Sequence, residues 1–430
     1  MRPAPIRRLT APIRRFLRIE AASGFVLVLC TIVALVLANS SLGPTVHHFW
    51  EESIRFGIGS FTFDHTLHFW VNDALMTIFF FVIGLEIKRE LVDGELSSPR
   101  KAALPVVGAI GGMVVPAAIY MLWHPSGPEA RGWGIPMATD IAFVVGVMAV
   151  FGKRVPFGLK IFLLSLAIAD DMGAVLVIAV AYTEHVNLLA LAIAGGGFGL
   201  TYAMNRLGVR SIGLYVAVAI GIWFAVLASG IHPTISGVLL GLMTPSTAWL
   251  NPNILRLTIE DVVGHERGID LPEADLLAYA ARESVSPLLR IETALHPWVG
   301  FVIMPVFALA NAGVVVGVGA MLDPVAIAIA VALVFGKAIG IFGLSWLAVR
   351  FKLASLPAGV TWRMMLAAGI LGGIGFTMSL FVAGLAFPDP EGPILAAKTG
   401  ILFGSGVCLL VGAGLLWWSL RSGPKNRDGI

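Results

Sequence analysis

Residues 157–182 read Phe157-Gly-Leu-Lys-Ile-Phe-Leu-Leu-Ser-Leu-Ala-Ile-Ala-Asp170-Asp171-Met-Gly-Ala-Val-Leu-Val-Ile-Ala-Val-Ala-Tyr182. A run of this length crosses a bilayer, for which about 20 apolar residues suffice. Two adjacent aspartates nevertheless stand at its centre. A charge at that depth costs ~2.5–3.5 kcal/mol on insertion scales, so a chain that keeps two has a use for them. Successive helical residues point in different directions. One carboxylate can therefore face a cavity while the other reaches a neighbouring helix.

The rest of the chain shares this character. Of 430 residues, 57% are hydrophobic and only 13% are charged, and the mean hydropathy is +0.89. Soluble domains carry about 25% charged residues, so an ordinary soluble enzyme and a disordered chain are both excluded. The two cysteines, Cys30 and Cys408, lie inside apolar runs and make no disulfide scaffold. Twelve runs are candidates to span: 23–39, 70–92, 103–123, 135–151, 157–182, 187–205, 212–229, 232–248, 296–320, 324–349, 362–387 and 394–419. The expectation is an all-α polytopic membrane protein with a basic tail (1–22), one transmembrane domain (23–420) and a second tail (421–430). The first run lacks a clear small-x-small cleavage site and reads as an uncleaved helix. Alternation around Gly-Ser predicts a β-hairpin near 55–63. Residues 249–293 read as a polar segment with a helix near Pro272–Arg282.

Basic residues set the orientation. With the N-terminal tail in the cytoplasm, 25 of the 29 Lys and Arg fall on that side. Arg55, Arg131 and Lys398 fall outside, and Lys337 lies within a span. Both termini are expected to be cytoplasmic. The basic tails read as topological determinants, with membrane lipid and not nucleic acid as their partner.

Lys337, in Phe335-Gly-Lys-Ala-Ile-Gly340, is the second mid-membrane charge. It needs a carboxylate partner, and Asp140, Asp170 and Asp171 are available. Asp140 follows Pro136 and Thr139 in the fourth run, where proline favours a break. The eleventh run is interrupted at Gly369-Ile-Leu-Gly-Gly-Ile-Gly375-Phe-Thr377. These two are the middle members of runs 3–5 and 10–12, which enter from opposite sides. That is the pattern of an inverted repeat with broken helices around a midplane ion site. The second run carries Asp73 near its outer end and Glu86, Lys88, Arg89 and Glu90 near its inner end, where Glu86 and Glu90 share a face. His232 opens the eighth run and is either a helix-end residue or a titrating sensor. His65 and His68 have no companions for a metal site.

Six motifs in order resemble the NhaA-type sodium/proton antiporters over about residues 20–420. They are Phe69-Trp-Val-Asn-Asp73, Ile83-Gly-Leu-Glu86-Ile-Lys-Arg-Glu90, Ala138-Thr-Asp140-Ile-Ala-Phe143, Ala169-Asp-Asp171, Phe335-Gly-Lys337 and Gly372-Gly-Ile-Gly-Phe-Thr-Met-Ser379. The resemblance implies twelve helices, with spans four and eleven broken and crossing. It implies export of sodium or lithium against proton entry in a bacterial inner membrane, with no cofactor. It makes Asp170 and Asp171 the cation and proton carboxylates. Asp140 and Thr139 support the site, Lys337 pairs with Asp170, and the outer hairpin is a dimerisation element. Glu86, Arg89, Glu90 and Glu292 become a pH-responsive cytoplasmic entrance. Two departures stand out: the segment before span nine is long, and Thr293 occupies a position where histidine is common. Rival readings are a sodium-coupled symporter of an organic anion and an intramembrane aspartyl protease, whose Gly-x-Gly-Asp signature is absent. No phosphate loop occurs, which leaves an ATP-driven pump without its nucleotide motif.

Overall fold

The computed structural model describes residues 20–58, 61–183, 186–209, 211–248, 250, 256–257, 259–260, 271–315, 317–389 and 392–422. The expected basic tails fall almost wholly outside these residues, as does the Gly59-Ser60 turn. The chain divides into two compact units. One contains Met1–Met76, Glu95–Glu184 and Val299–Ile430; the other contains Thr77–Gly94 and His185–Trp298.

The first unit opens with α1 (Glu20–Ala38) and α2 (Gly43–Glu51). A hairpin follows, of β1 (Ser53–Ile58) and β2 (Phe61–Thr66), paired antiparallel with Phe56 opposite Phe63. Arg55 Nε lies 2.5 Å from Asp64 Oδ2 across it. Thr66 then caps helix α3 (Leu67–Val92), its hydroxyl accepting the Phe69 N–H at 3.2 Å. α3 contains a π-turn at Trp70–Leu75 and continues into the second unit.

Next come α4 (Pro99–Trp123), a 3-10 segment (Pro128–Met137), α5 (Ile141–Phe151) and α6 (Phe157–Ala181). In the second unit are α7 (Leu188–Arg206), α8 (Ile212–Ser229), α9 (Thr234–Met243) and α10 (Leu271–Glu283). Helix α11 (Pro287–Asn311) starts there and ends in the first unit. The first unit closes with α12 (Pro324–Arg350), α13 (Trp362–Leu371), α14 (Phe376–Ala386) and α15 (Ile394–Ser422).

Among the described residues, nine helices are long and apolar enough to cross a membrane, or up to eleven if each bent pair is one span. The bent pairs are Ala22–Ala38 with Gly43–Glu51, at 112°, and Trp362–Leu371 with Phe376–Ala386, at 43°. The expected count of twelve also includes the run at 232–248. That run is helical only over the ten residues of α9. Pro233 precedes it and Pro245 follows it, and proline cannot extend a helix at its C-terminal end.

Two helix pairs show how small residues build each unit. In the first, α4 and α12 run antiparallel and touch backbone to backbone. A Cβ on Gly340 would meet the Gly111 carbonyl, and one on Gly336 would lie 2.8 Å from Pro116 Cα. In the second, a Cβ on Gly84 would meet the Val238 carbonyl, joining α3 to α9. There α7 and α8 bury Ala194, Ile222, Ala225 and Val226 against each other. Asn187 caps α7 by accepting from Leu189 N–H and Ala190 N–H, while its own N–H donates to Ser229 O at 2.9 Å.

The α4–α12 contact yields a paired expectation. Alanine in place of glycine inside a helix favours the helix by about 1 kcal/mol. Gly343→Ala, with open space at its Cβ position, should keep or raise the thermal midpoint in detergent. Gly340→Ala, three residues away, should lower it, because overpacking a tight contact costs ~1–3 kcal/mol.

Candidate functional site

The two interrupted segments of the first unit meet. After the 3-10 segment, Ala138, Thr139 and Asp140 are non-helical before α5 begins. Between α13 and α14 lie Gly372, Gly373, Ile374 and Gly375. Asp140 N–H donates to Ile374 O at 2.7 Å, and the Thr139 hydroxyl donates to Gly372 O at 2.9 Å. Two carbonyls of the second break, those of Gly372 and Ile374, are thus satisfied from the first, as buried backbone requires.

Asp140 binds both segments through its carboxylate. Its Oδ1 accepts the Phe143 N–H at 3.3 Å as the N-cap of α5. Its Oδ2 accepts the Thr377 N–H at 3.0 Å and the Thr377 hydroxyl. One carboxyl group therefore caps the N-terminal turns of both α5 and α14, where each helix presents about half a positive charge. Phe376 N–H donates to Ser405 Oγ at 3.2 Å, and the Ser379 hydroxyl donates to Ile135 O at 2.8 Å. A Cβ on Gly375 would strike Ser379 Oγ, displacing the hydroxyl that holds Ile135 O, and would lie 3.0 Å from the Ala138 carbonyl.

Beside this meeting point lies the ion pair. Lys337 Nζ donates to Asp170 Oδ2 at 2.7 Å and to Thr139 Oγ1 at 2.8 Å. Asp170 is 1% exposed and Lys337 is fully buried. Asp171, adjacent on α6, is 2% exposed. Of the three carboxylates the sequence offers to Lys337, the structure selects Asp170. The lysine follows a π-turn at Ala332–Gly336, and its N–H donates to Ala332 O. Thr139 is the joint between the two systems, accepting from the lysine and donating to the broken chain.

The remaining candidates sit elsewhere. In the second unit, Arg89 Nη1 donates to Glu292 Oε1, and His296 Nε2 lies 3.9 Å from Glu86 Oε1. Glu90 is buried on the same helix as Glu86 and Arg89, against Gly94. Thr293 donates to Leu289 O, a local helix bond with no part in that cluster. His232 Nδ1 is 2.7 Å from Thr234 Oγ1. In the first unit, Asp73 lies in the π-turn of α3, whose neighbour Asn72 accepts from Asn311 Nδ2 at 2.7 Å. Among the described residues, no three His, Cys, Asp or Glu side chains group as a metal site. Sequence reading does not find the acceptor carbonyls of Gly372 and Ile374, because a carbonyl has no letter. It also misses the π-turn before Lys337 and the Asn72–Asn311 pair, whose positions lie 239 residues apart.

Breaking a buried ion pair from one side costs about 3–5 kcal/mol, because the surviving charge stays buried. Asp170→Asn and Lys337→Met should each lower the thermal midpoint in detergent. The double variant should recover most of that loss. Additive losses would show that the two groups do not pair.

The chain matches the family model described as Na+/H+ antiporter 1 over residues 14–416. It is 48% identical to the Na(+)/H(+) antiporter NhaA of Rhodopirellula baltica, across 97% of this chain and 96% of that protein. It is 47% identical to the protein of the same name from Rhizobium meliloti, across 98% of each. A third relative, Na(+)/H(+) antiporter NhaA 2 of Sorangium cellulosum, is 47% identical over 95% of this chain and 90% of its own. These relatives are transporters and not enzymes, which agrees with a chain of many apolar helices. With its family model and its relatives spanning nearly the whole length, the chain belongs to the Na+/H+ antiporter 1 family.

Proposed function

We propose that this protein is an electrogenic antiporter. It exports sodium or lithium in exchange for protons, two per cation, and so serves sodium and pH homeostasis in a bacterial inner membrane. The observation that carries this reading is the buried Lys337–Asp170 pair with Asp171 beside it, at the crossing of two interrupted segments. A desolvated alkali cation needs oxygen ligands and negative charge. Asp171 and Asp170 supply the charge; Thr139 and backbone carbonyls of the unwound stretch supply further oxygens. Asp140 holds the crossing together.

Protons and the cation compete for the same carboxylates, which titrate as one coupled group. Protons load from outside, and their release inside lets sodium bind. Movement of one bundle then turns the site outward. Two protons inward for one sodium outward moves one net charge, worth ~2.3 kcal/mol per 100 mV. The membrane potential can then drive export in alkaline medium. The topology that serves this is twelve spans in an inverted repeat, spans 3–5 against 10–12, with both termini cytoplasmic. The short α9 completes the count as the eighth span. The β1–β2 hairpin, with Phe56 exposed, is the contact of a homodimer. Glu86, Arg89, Glu90 and Glu292, with Arg89 held on Glu292, form the pH-responsive entrance.

Asp171→Asn should abolish sodium-dependent proton movement in everted vesicles; exchange that persists removes Asp171 from the site. Lys337→Ala separates two roles for the lysine. Current on a solid-supported membrane should vanish while pH-dye exchange persists if Lys337 carries the second proton. Survival of the current would leave that proton on Asp170 and make the lysine a structural partner.

A further inference from the structure

At one end of the first unit, α12 stops, α13 starts and α15 stops. Residues 350–363 and 417–422 contain Arg350, Lys352, Arg363 and Arg421 and no Asp or Glu. Among the described residues, none of these four cations forms an ion pair with a carboxylate. Two of them lie over indoles instead. The Arg421 guanidinium is 3.7 Å from the centre of the Trp417 ring, and that of Arg363 is 4.8 Å from Trp418. Stacking occupies the face of a guanidinium and leaves its N–H edge to donate. Both tryptophans are half exposed, and Trp346, Phe351 and Leu353 add exposed apolar surface.

Lys352 gives an independent observation. Its φ is +60°, and it alone among the described non-glycine residues has a positive φ. Lys352 N–H donates to Val349 O at 3.1 Å, and Leu353 N–H to Ala348 O at 2.9 Å. These are the paired bonds of a helix end whose left-handed position favours glycine. A lysine there strains the backbone and holds a cation at the rim of α12. Strain of this kind points to a use for the side chain.

We propose that this end of the unit binds the headgroup of an anionic phospholipid. The phosphodiester takes the forked N–H edges of Arg363 and Arg421, which match phosphate oxygens. Lys352 approaches the same headgroup, and the acyl chains lie along the exposed aromatic surface. Charge complementarity selects an anionic lipid over a zwitterionic one, and the aromatic flank selects a lipid over a free anion.

The test uses the full chain in neutral detergent, with the thermal midpoint as readout. Phosphatidylglycerol should raise the midpoint by several degrees, with no such rise from phosphatidylcholine or from inorganic phosphate. Arg363→Gln/Arg421→Gln should lose at least half of that rise. Lys352→Gly should raise the midpoint in lipid-free detergent, because the strain is relieved, and still reduce the rise on adding phosphatidylglycerol. That second variant serves if the double variant does not fold. An equal rise with phosphatidylcholine, an equal rise with inorganic phosphate, or an undiminished rise in both variants would each overturn the proposal.

Discussion

A lysine and an aspartate sealed from water, 2.7 Å apart, set the terms for the first unit. Neither could stay there alone, and their attraction offsets the loss of hydration only where the geometry is tight and other polar atoms help. Thr139 gives that help by accepting from the same ammonium. Thr139 lies where the chain is unwound at residues 138–140, and two donors of that stretch, its own hydroxyl and the Asp140 N–H, find their acceptors in the second break. The ion pair, the broken segments and the cap formed by Asp140 are therefore one linked arrangement.

Much of this was legible from residue types. Charges in apolar runs are costly, so Asp170, Asp171 and Lys337 announce themselves. Pro136 and the glycines of 372–375 mark interruptions, because they are poor helix residues in long helical runs. The hairpin followed from alternation, and its strands pair Phe56 with Phe63. The helix expected near Pro272–Arg282 is α10. The choice of Asp170 as the lysine's partner was open on the residues alone, since three carboxylates lie at similar depth. Which carboxylate a lysine meets depends on helix rotation. That rotation is altered here by a π-turn, which no local composition signals.

The span count shows the same limit from the other side. Hydropathy counts apolar residues, and the run at 232–248 has enough of them. Only ten are helical, because prolines bracket them. Thr293 makes a related point. Its hydroxyl bonds its own helix by donating to Leu289 O. The charged cluster of the second unit rests on Arg89, Glu292, Glu86 and His296 instead.

The close approach of α4 and α12 brackets the lysine. Gly336 lies against Pro116 on one side of it and Gly340 against Gly111 on the other. With the main chain gripped at both neighbours, the only slack left to the ammonium is its own four-carbon tether. Exchanging one partner for another then becomes a matter of torsions about a few single bonds, with the main chain on either side held in place.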